Sequence, residues 1–289
     1  MTVGALARAG LNLDQYLAQA EDVILPCGLS ETAPPVLLAE NCKLRVGVDI
    51  GTAYLTLVVL DEEGIPLAGE WQFAQVVRDG LVVDYIGAID LLKGMKQRLQ
   101  RRLGRELDHA ASGFPPGVPR AEIRTTANVI EAAGMDCTCL LDEPSAANQV
   151  LQLEDGAIVD VGGGTTGIAL IRNGKVIFTA DEPTGGTHFT LVIAGALNIS
   201  FEEAEKLKII QSEQPRLFPL VRPVMEKVAS ITSRHIQDNP VSSITLVGGA
   251  SAFTGMAGVL QSYTGIPTFV PGNPVFVTSL GLAMMDEPA

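Results

Sequence analysis

The chain has 289 residues, more than one average domain and too few for three, so two lobes are expected. Hydrophobic residues make up 47% of it and aromatic residues only 5%, so the core should rest on Val, Ile, Leu and Ala, which suits an α/β fold with a buried sheet. The net charge of −13 argues against nucleic acid or an anionic membrane as a partner, but not against a nucleotide held by backbone N–H groups and Mg²⁺.

No stretch approaches the ~20 apolar residues of a membrane span, and no secretory leader pattern opens the chain, so a soluble cytoplasmic protein is expected. In residues 1 to 43, Leu13, Tyr16, Leu17, Ala20, Val23 and Ile24 fall at helical spacing, and Pro26, Pro34 and Pro35 then suggest a linker. Such a helix is either a packing arm for its own domain or a docking peptide for a partner.

Val46 to Leu60 reads as strand, Asp49, Gly51-Thr52 turn and second strand, ending in the hairpin turn Asp61-Glu62-Glu63-Gly64. Val76 to Asp84 suggests a strand and turn. Ile86 to about Leu107 shows helical periodicity, with Arg98, Arg101, Arg102 and Arg105 around it as a solvated face or a grip for an anionic partner. His109 to Phe114 is a strand candidate, Arg124 to Gly134 a helix and Met135 to Leu141 a strand. Cys137 and Cys139 read as buried free thiols more readily than as a metal clip, and Cys27 and Cys42 fit the same reducing compartment. At Asp142-Glu143-Pro144 a carboxylate pair precedes a proline that opens the next helix. That place suits either a water-orienting group or an ordinary acidic helix start.

Ile158 to Ile171 repeats the first pattern: apolar strand, Asp160, the turn Gly162-Gly163-Gly164-Thr165, and an apolar strand running to a hairpin at Arg172-Asn173-Gly174-Lys175. Glycines let a backbone approach an anion, threonines add donors, and an aspartate at the strand end can hold hydrated Mg²⁺. Asp49 and Asp160 are 111 residues apart, so the chain reads as two similar halves. Further on come a glycine turn at Gly185-Gly186 opening a helix, a charged helix Phe201 to Ile210 with Glu205 and Lys208 on one face, and a helix around Val224 to Ile236. A strand Ile244 to Val247 then ends in Gly248-Gly249-Ala250-Ser251, a third glycine element able to accept a nucleoside. Pro267 to Val270 gives a last strand and Val275 to Met285 a closing helix. His188 and His235 lack any nucleophile partner and read as structural.

These motifs resemble the actin-like ATPase superfamily, which includes actin, MreB and the nucleotide-binding domain of DnaK-type chaperones. Val48 to Thr52 looks like its first phosphate loop, Val159 to Thr166 its second, and Leu246 to Ala250 its adenosine motif. Asp142 to Ala147 is similar to the DnaK-type segment whose glutamate positions the hydrolytic water. Within the superfamily, Val76 to Gly80, Phe114 to Gly117, Leu141 to Pro144 and Thr184 to His188 resemble the EutJ family of ethanolamine-utilisation proteins. The resemblance implies an actin-like, ribonuclease H-like α/β fold with two similar lobes around a nucleotide cleft and reduced upper subdomains. The lobes would be 44–145, completed by 272–289, and 146–271, after an N-terminal helix and linker over 1–43. It implies ATP or ADP with Mg²⁺ as cofactor. Gly51, Thr52, Ala53, Gly162, Gly163, Gly164, Thr165, Gly185, Gly186, Glu205, Lys208, Gly248, Gly249 and Ala250 would bind nucleotide. Asp49 and Asp160 would hold the metal through water, with Glu143 and Asp160 catalytic. The implied role is a chaperone-like ATP-binding protein, a weak ATPase, that assists ethanolamine-utilisation enzymes or microcompartment shell proteins. The alternative is a binding or scaffold module without ATP turnover, and a small-molecule kinase is a third reading.

Overall fold

The computed structural model describes residues 11–78 and 81–287, with backbone only at 120–122. The chain divides into two compact units, residues 1–152 with 276–289, and residues 153–275. Asp79 and Gly80, part of the expected turn after Val76, lie outside the described residues.

The first unit opens with α1 (Leu13–Val23), capped by Asn12 and burying Tyr16, Leu17 and Ala20. Ile24 does not continue that helix as its spacing suggests. It starts β1 (Ile24–Pro26), which pairs in parallel with β4 (Pro66–Phe73), and α2 (Cys27–Ser30) follows. The Tyr16 hydroxyl donates to Gly64 O at 2.9 Å, so the N-terminal segment is packed onto the hairpin of β3 (Tyr54–Asp61) and β4. Between them the chain passes through β2 (Leu44–Ile50). A short hairpin, β5 (Val77–Arg78) and β6 (Leu81–Val82), leads to α3 (Tyr85–Leu103), which ends at Gly104 with φ of 64° rather than running on to Leu107. Then come β7 (His109–Phe114), α4 (Arg120–Ala132), β8 (Asp136–Asp142) and α5 (Glu143–Leu151). The sheet order is β1-β4-β3-β2-β7-β8.

Of the four arginines in and just after α3, Arg101 is exposed, and the other three have partners within the unit. Arg98 forms an ion pair with the fully buried Glu70 of β4. Arg102 donates to the carbonyls of Val23 and Pro34, and Arg105 to those of Ala39 and Glu40. Arg102 and Arg105 thereby satisfy backbone carbonyls from the end of α1 and from the chain that leads on to β2.

The second unit has β9 (Asp155–Val161), β10 (Thr166–Arg172) and β11 (Lys175–Glu182), then α6 (Gly186–Leu197), α7 (Phe201–Ile209) and α8 (Gln214–Ile236). It closes with β12 (Ile244–Val247), α9 (Met256–Thr264) and β13 (Thr268–Phe269), in the sheet order β11-β10-β9-β12-β13. That is the order β4-β3-β2-β7-β8 over again: a hairpin beside the first strand, then two parallel neighbours. α8 begins ten residues before the helix expected around Val224. Pro215, Pro219 and Pro223 recur every fourth residue on its exposed side while Leu217, Val221, Met225 and Val228 face the core. The carbonyls those prolines leave without an N–H partner are on the wet face, where water can take them.

α10 (Val277–Met284) belongs to the first unit and crosses both β2 and α5 at glycines. A Cβ at Gly47 would lie 2.5 Å from Ala283 N and Ser279 O, and one at Gly281 would lie 1.8 Å from Ala146 O. Beyond α10, the fully buried carboxylate of Asp286 accepts from Val46 N at 2.7 Å, from the Thr138 hydroxyl and from His109 Nδ1 at 2.6 Å, fastening the chain end to β2, β7 and β8. Gly281→Ala should destabilise the protein by about 2–4 kcal/mol in denaturant unfolding, because the overpacking against a fixed carbonyl outweighs the ~1 kcal/mol that alanine gains in a helix. An unchanged midpoint would show that α5 and α10 can part at no cost.

Candidate functional site

Both units carry the same turn. In the first, Gly51 N donates to Tyr54 O at 3.0 Å, and Asp49, at the end of β2, faces Thr56 of β3. In the second, Gly162 N donates to Thr165 O at 3.0 Å, and Asp160 faces Gly167 of β10. The two closing bonds are offset by the 111 residues that separate the aspartates.

In the first unit the carboxyl ends of the parallel strands bear the candidate groups. Gly51, Thr52, Ala53 and Asp49 are half-buried, and the Ser279 hydroxyl reaches Asp49 Oδ2 at 3.4 Å. Glu143, also half-buried, starts α5 at the end of β8, and its Cγ lies 3.4 Å from the point where a Cβ on Gly113, near the end of the neighbouring β7, would be. Asp142 is committed to capping, since its Oδ1 accepts from Ser145 N at 3.0 Å. The carboxylate pair therefore splits, one member closing the helix and the other standing at the sheet end.

In the second unit four segments far apart in sequence meet at Gly186. A Cβ there would lie 3.3 Å from Ala250 Cβ, 3.4 Å from Gly162 O and 3.4 Å from Lys208 Nζ. Gly185 is packed as tightly, with Gly162 O and Gly164 C each 2.8 Å and Gly163 O 2.9 Å from where its Cβ would be. The N–H groups of Gly186 and Thr187 donate to Gly162 O and Gly163 O at 2.9 and 2.7 Å. The start of α6 thus braces the Gly162–Thr165 turn through the backbone of Gly185, Gly186 and Thr187. His188 Nδ1 accepts from Gly185 N at 3.3 Å, the capping role expected of a structural histidine.

Lys208 and Glu205 form a buried pair at 2.6 Å, which the Thr190 hydroxyl joins by donating to Glu205 Oε2 at 2.6 Å. Burial pushes the Lys208 ammonium down from its ordinary pKa, and the Glu205 carboxylate opposes that. Asp160 is buried, and its Oδ1 lies 2.2 Å from the Cβ position of Gly248, whose φ of 86° already favours glycine. The adenosine-type motif is therefore the surface on which the Asp160 carboxylate rests. Glycine-braced N–H groups beside a strand-end carboxylate fit a phosphate with hydrated Mg²⁺, which takes oxygen ligands and usually one or two carboxylates.

One group here was missed in the sequence. Asp181 of β11 pairs with Gly167, so Asp160, Gly167 and Asp181 form one cross-strand row. Burial pushes the Asp181 carboxyl up to about 7 against a hydrogen bond from Thr165, and the charges of Asp160 and Glu182 add to the rise. Its only sequence signal is a second carboxylate beside Glu182 at the end of the strand.

With that geometry, the comparisons are specific. The ethanolamine utilization protein EutJ of Escherichia coli K12 is 40% identical over 85% of this chain and 87% of its own. The chain belongs to the EutJ family. A crystal structure of EutJ from Carboxydothermus hydrogenoformans has 43% identity and a TM-score of 0.86, covering 94% of this chain and 98% of that one. A structure of MreB 5 of Spiroplasma citri bound to AMPPNP has 17% identity and a TM-score of 0.66 over 84% and 95% of the two chains, a likeness of fold. Family models for cell division protein FtsA and for MreB/Mbl match residues 157–281 and 68–202. This EutJ-family chain has the actin-like ATPase fold. Among its described residues no helix is long and apolar enough to cross a membrane.

Asp181 also makes a stability signature. Below about pH 4 it is neutral in folded and unfolded chains alike; between about 4 and 7 only the unfolded chain ionises, so this group's contribution to stability is lost as pH rises. Asp181→Asn should therefore stabilise the ligand-free protein by about 1–2 kcal/mol at pH 8, the value discounted for its partial exposure, and hardly at all at pH 4. Thermal melts showing the same difference at both pH values would contradict this.

Proposed function

We propose that the chain binds Mg²⁺·ATP as a nucleotide-controlled, chaperone-like protein that assists enzymes or shell proteins of ethanolamine-utilising microcompartments. The observation that carries the reading is the meeting at Gly186 of the Gly162–Thr165 turn, the start of α6, Lys208 and Ala250. It builds one polar corner from the segments that the superfamily resemblance assigns to phosphate and nucleoside. The EutJ family supports the ethanolamine connection.

In this reading Gly162, Gly163, Gly164 and Thr165 receive phosphate oxygens, with Gly185 and Gly186 setting the turn from behind. Gly248, Gly249, Ala250, Glu205 and Lys208 receive the nucleoside. Asp160 holds hydrated Mg²⁺. Gly51, Thr52, Ala53 and Asp49 offer the first unit's copy of the same chemistry. Glu143 orients the attacking water, the group on which slow hydrolysis would depend. Bound Mg²⁺ would neutralise charge that builds on the phosphate oxygens. ATP and ADP must differ in affinity for two states of the protein if the nucleotide is to control a client.

A second reading, a scaffold module that binds without turnover, draws on the Glu205–Lys208 pair. These two side chains satisfy each other and Thr190 within the unit.

Titration calorimetry with ATP and ADP, with and without Mg²⁺, decides the main point. Wild-type binding tighter than about 100 μM, roughly −5.5 kcal/mol, that requires Mg²⁺ and is lost in Asp160→Ala is expected. No binding at millimolar nucleotide would sink the proposal. Turnover separates the two readings: Glu143→Gln should slow ATP hydrolysis by about tenfold or more with affinity within about threefold. A wild type that binds ATP and never hydrolyses it would be the scaffold.

A further inference from the structure

The side chain of Lys208 on α7 is only 11% exposed, and its Nζ lies within hydrogen-bond distance of three oxygens: Glu205 Oε2 at 2.6 Å, Thr190 Oγ1 at 3.0 Å and Gly186 O at 3.3 Å. An ammonium has three protons to give, so these partners use all of them. The Thr190 hydroxyl belongs to the same knot, 2.6 Å from Glu205 Oε2 and 3.1 Å from Gly186 O. A carboxylate at 2.6 Å favours the charged form of the lysine.

The Gly186 carbonyl is the head of a chain of peptides that runs into the turn. It shares its peptide with Thr187 N, which donates to Gly163 O at 2.7 Å, and the Gly163 carbonyl in turn shares a peptide with Gly164 N. Both peptides are trans. The C=O and N–H of a trans peptide point in opposite directions, so Gly164 N–H is aimed away from the start of α6. Among the described residues no backbone acceptor takes it. Hydrogen bonds in such a chain polarise one another, and an ammonium at the head polarises every peptide in the same sense.

We propose that Lys208 is a positioning residue of the phosphate turn: its ammonium holds the Gly186 carbonyl and, through the two peptides, strengthens Gly164 N–H as a donor to a phosphate oxygen. The charge acts through backbone, without a side chain entering the glycine turn. Lys208 would then meet a nucleoside with its methylene stem alone. The inference rests on the nucleotide reading above and deepens it, because the phosphates gain from this charge and the nucleoside does not. It also gives the buried Glu205–Lys208 pair a purpose, since such a pair is seldom more stabilising than apolar side chains of the same size.

The test compares the wild type with Lys208→Met, which keeps the stem and loses the charge, and with the double variant Glu205→Gln/Lys208→Met, which leaves no buried carboxylate unpaired. Thermal melts verify folding, and the double variant carries the test if Lys208→Met alone unfolds. In the ligand-free full chain, amide exchange at Thr187 should quicken about tenfold in the variants. The Thr187 and Gly164 amide protons should move upfield in NMR spectra while those of β9 stay in place. By calorimetry, ADP affinity should fall about tenfold and adenosine affinity should stay within about twofold. Thr187 and Gly164 amides that do not move in the variants overturn this inference and leave the nucleotide reading standing. Equal losses for ADP and adenosine overturn it too, because Lys208 would then hold the nucleoside itself. A wild type that binds neither ADP nor adenosine removes the nucleotide reading, and the role of Lys208 with it.

Discussion

The second unit depends on a contact between two pieces of backbone. Gly185 lies so close to Gly162, Gly163 and Gly164 that a Cβ on it would fall within 2.9 Å of all three, and N–H···O bonds from Gly186 and Thr187 fix the approach. A helix start normally leaves its first N–H groups for solvent or an anion. Here the first two N–H groups are spent on the turn and are not left for an anion. The buried Glu205–Lys208 pair stands behind the same corner, with Lys208 donating to Gly186 O at 3.3 Å, and Ala250 closes the third side. A side chain at Gly185 would therefore displace the turn, and one at Gly248 the Asp160 carboxylate.

Much of this fold could be read from the chain because its signals are local. The strands His109–Phe114 and Ile244–Val247 were bounded to the residue, since short apolar runs between breakers have few other solutions. The repeated strand–Asp–Gly turn gave the duplicated sheets and placed Asp49, Asp160 and the glycines on strand ends. What escaped depended on partners distant in sequence. The first turns of α8, ahead of the helix expected around Val224, carry three prolines whose spacing of four puts all of them on the wet side. The arginines of α3 looked solvated because the carbonyls they satisfy lie some sixty to eighty residues away.

Asp181 escaped for a sharper reason. Counting back from the hairpin at Arg172 and Lys175 sets Asp181 against Thr166, on the opposite face from Asp160. The strand carries a bulge between its pairs at Ile171 and Leu170, with Ile177 as the extra residue, and this slips the register by one. A slip of one moves a side chain to the other face of a sheet, so a hydrophobic-pattern reading assigned Asp181 to no site at all. The first unit has a comparable irregularity at Leu60 and Val59, where it brings Trp71 rather than a carboxylate opposite Thr56. Both hairpins thus use the same backbone device, and only the second uses it to deliver charge.

That delivery has a stability cost that grows as pH rises. Burial opposes the ionisation of Asp181, and the charge of Asp160 on the same face adds to the penalty. Packing alone would favour an apolar or amide side chain at this position, as Trp71 in the first unit illustrates. The ligand-free unit is therefore less stable near neutral pH than its core would allow. A divalent cation held there, as the proposed function requires, would reverse the sign by attracting both carboxylates, and part of its binding energy would go to restoring that loss. A site of that kind would be quiet without metal and responsive to it, the behaviour that the nucleotide-controlled reading needs.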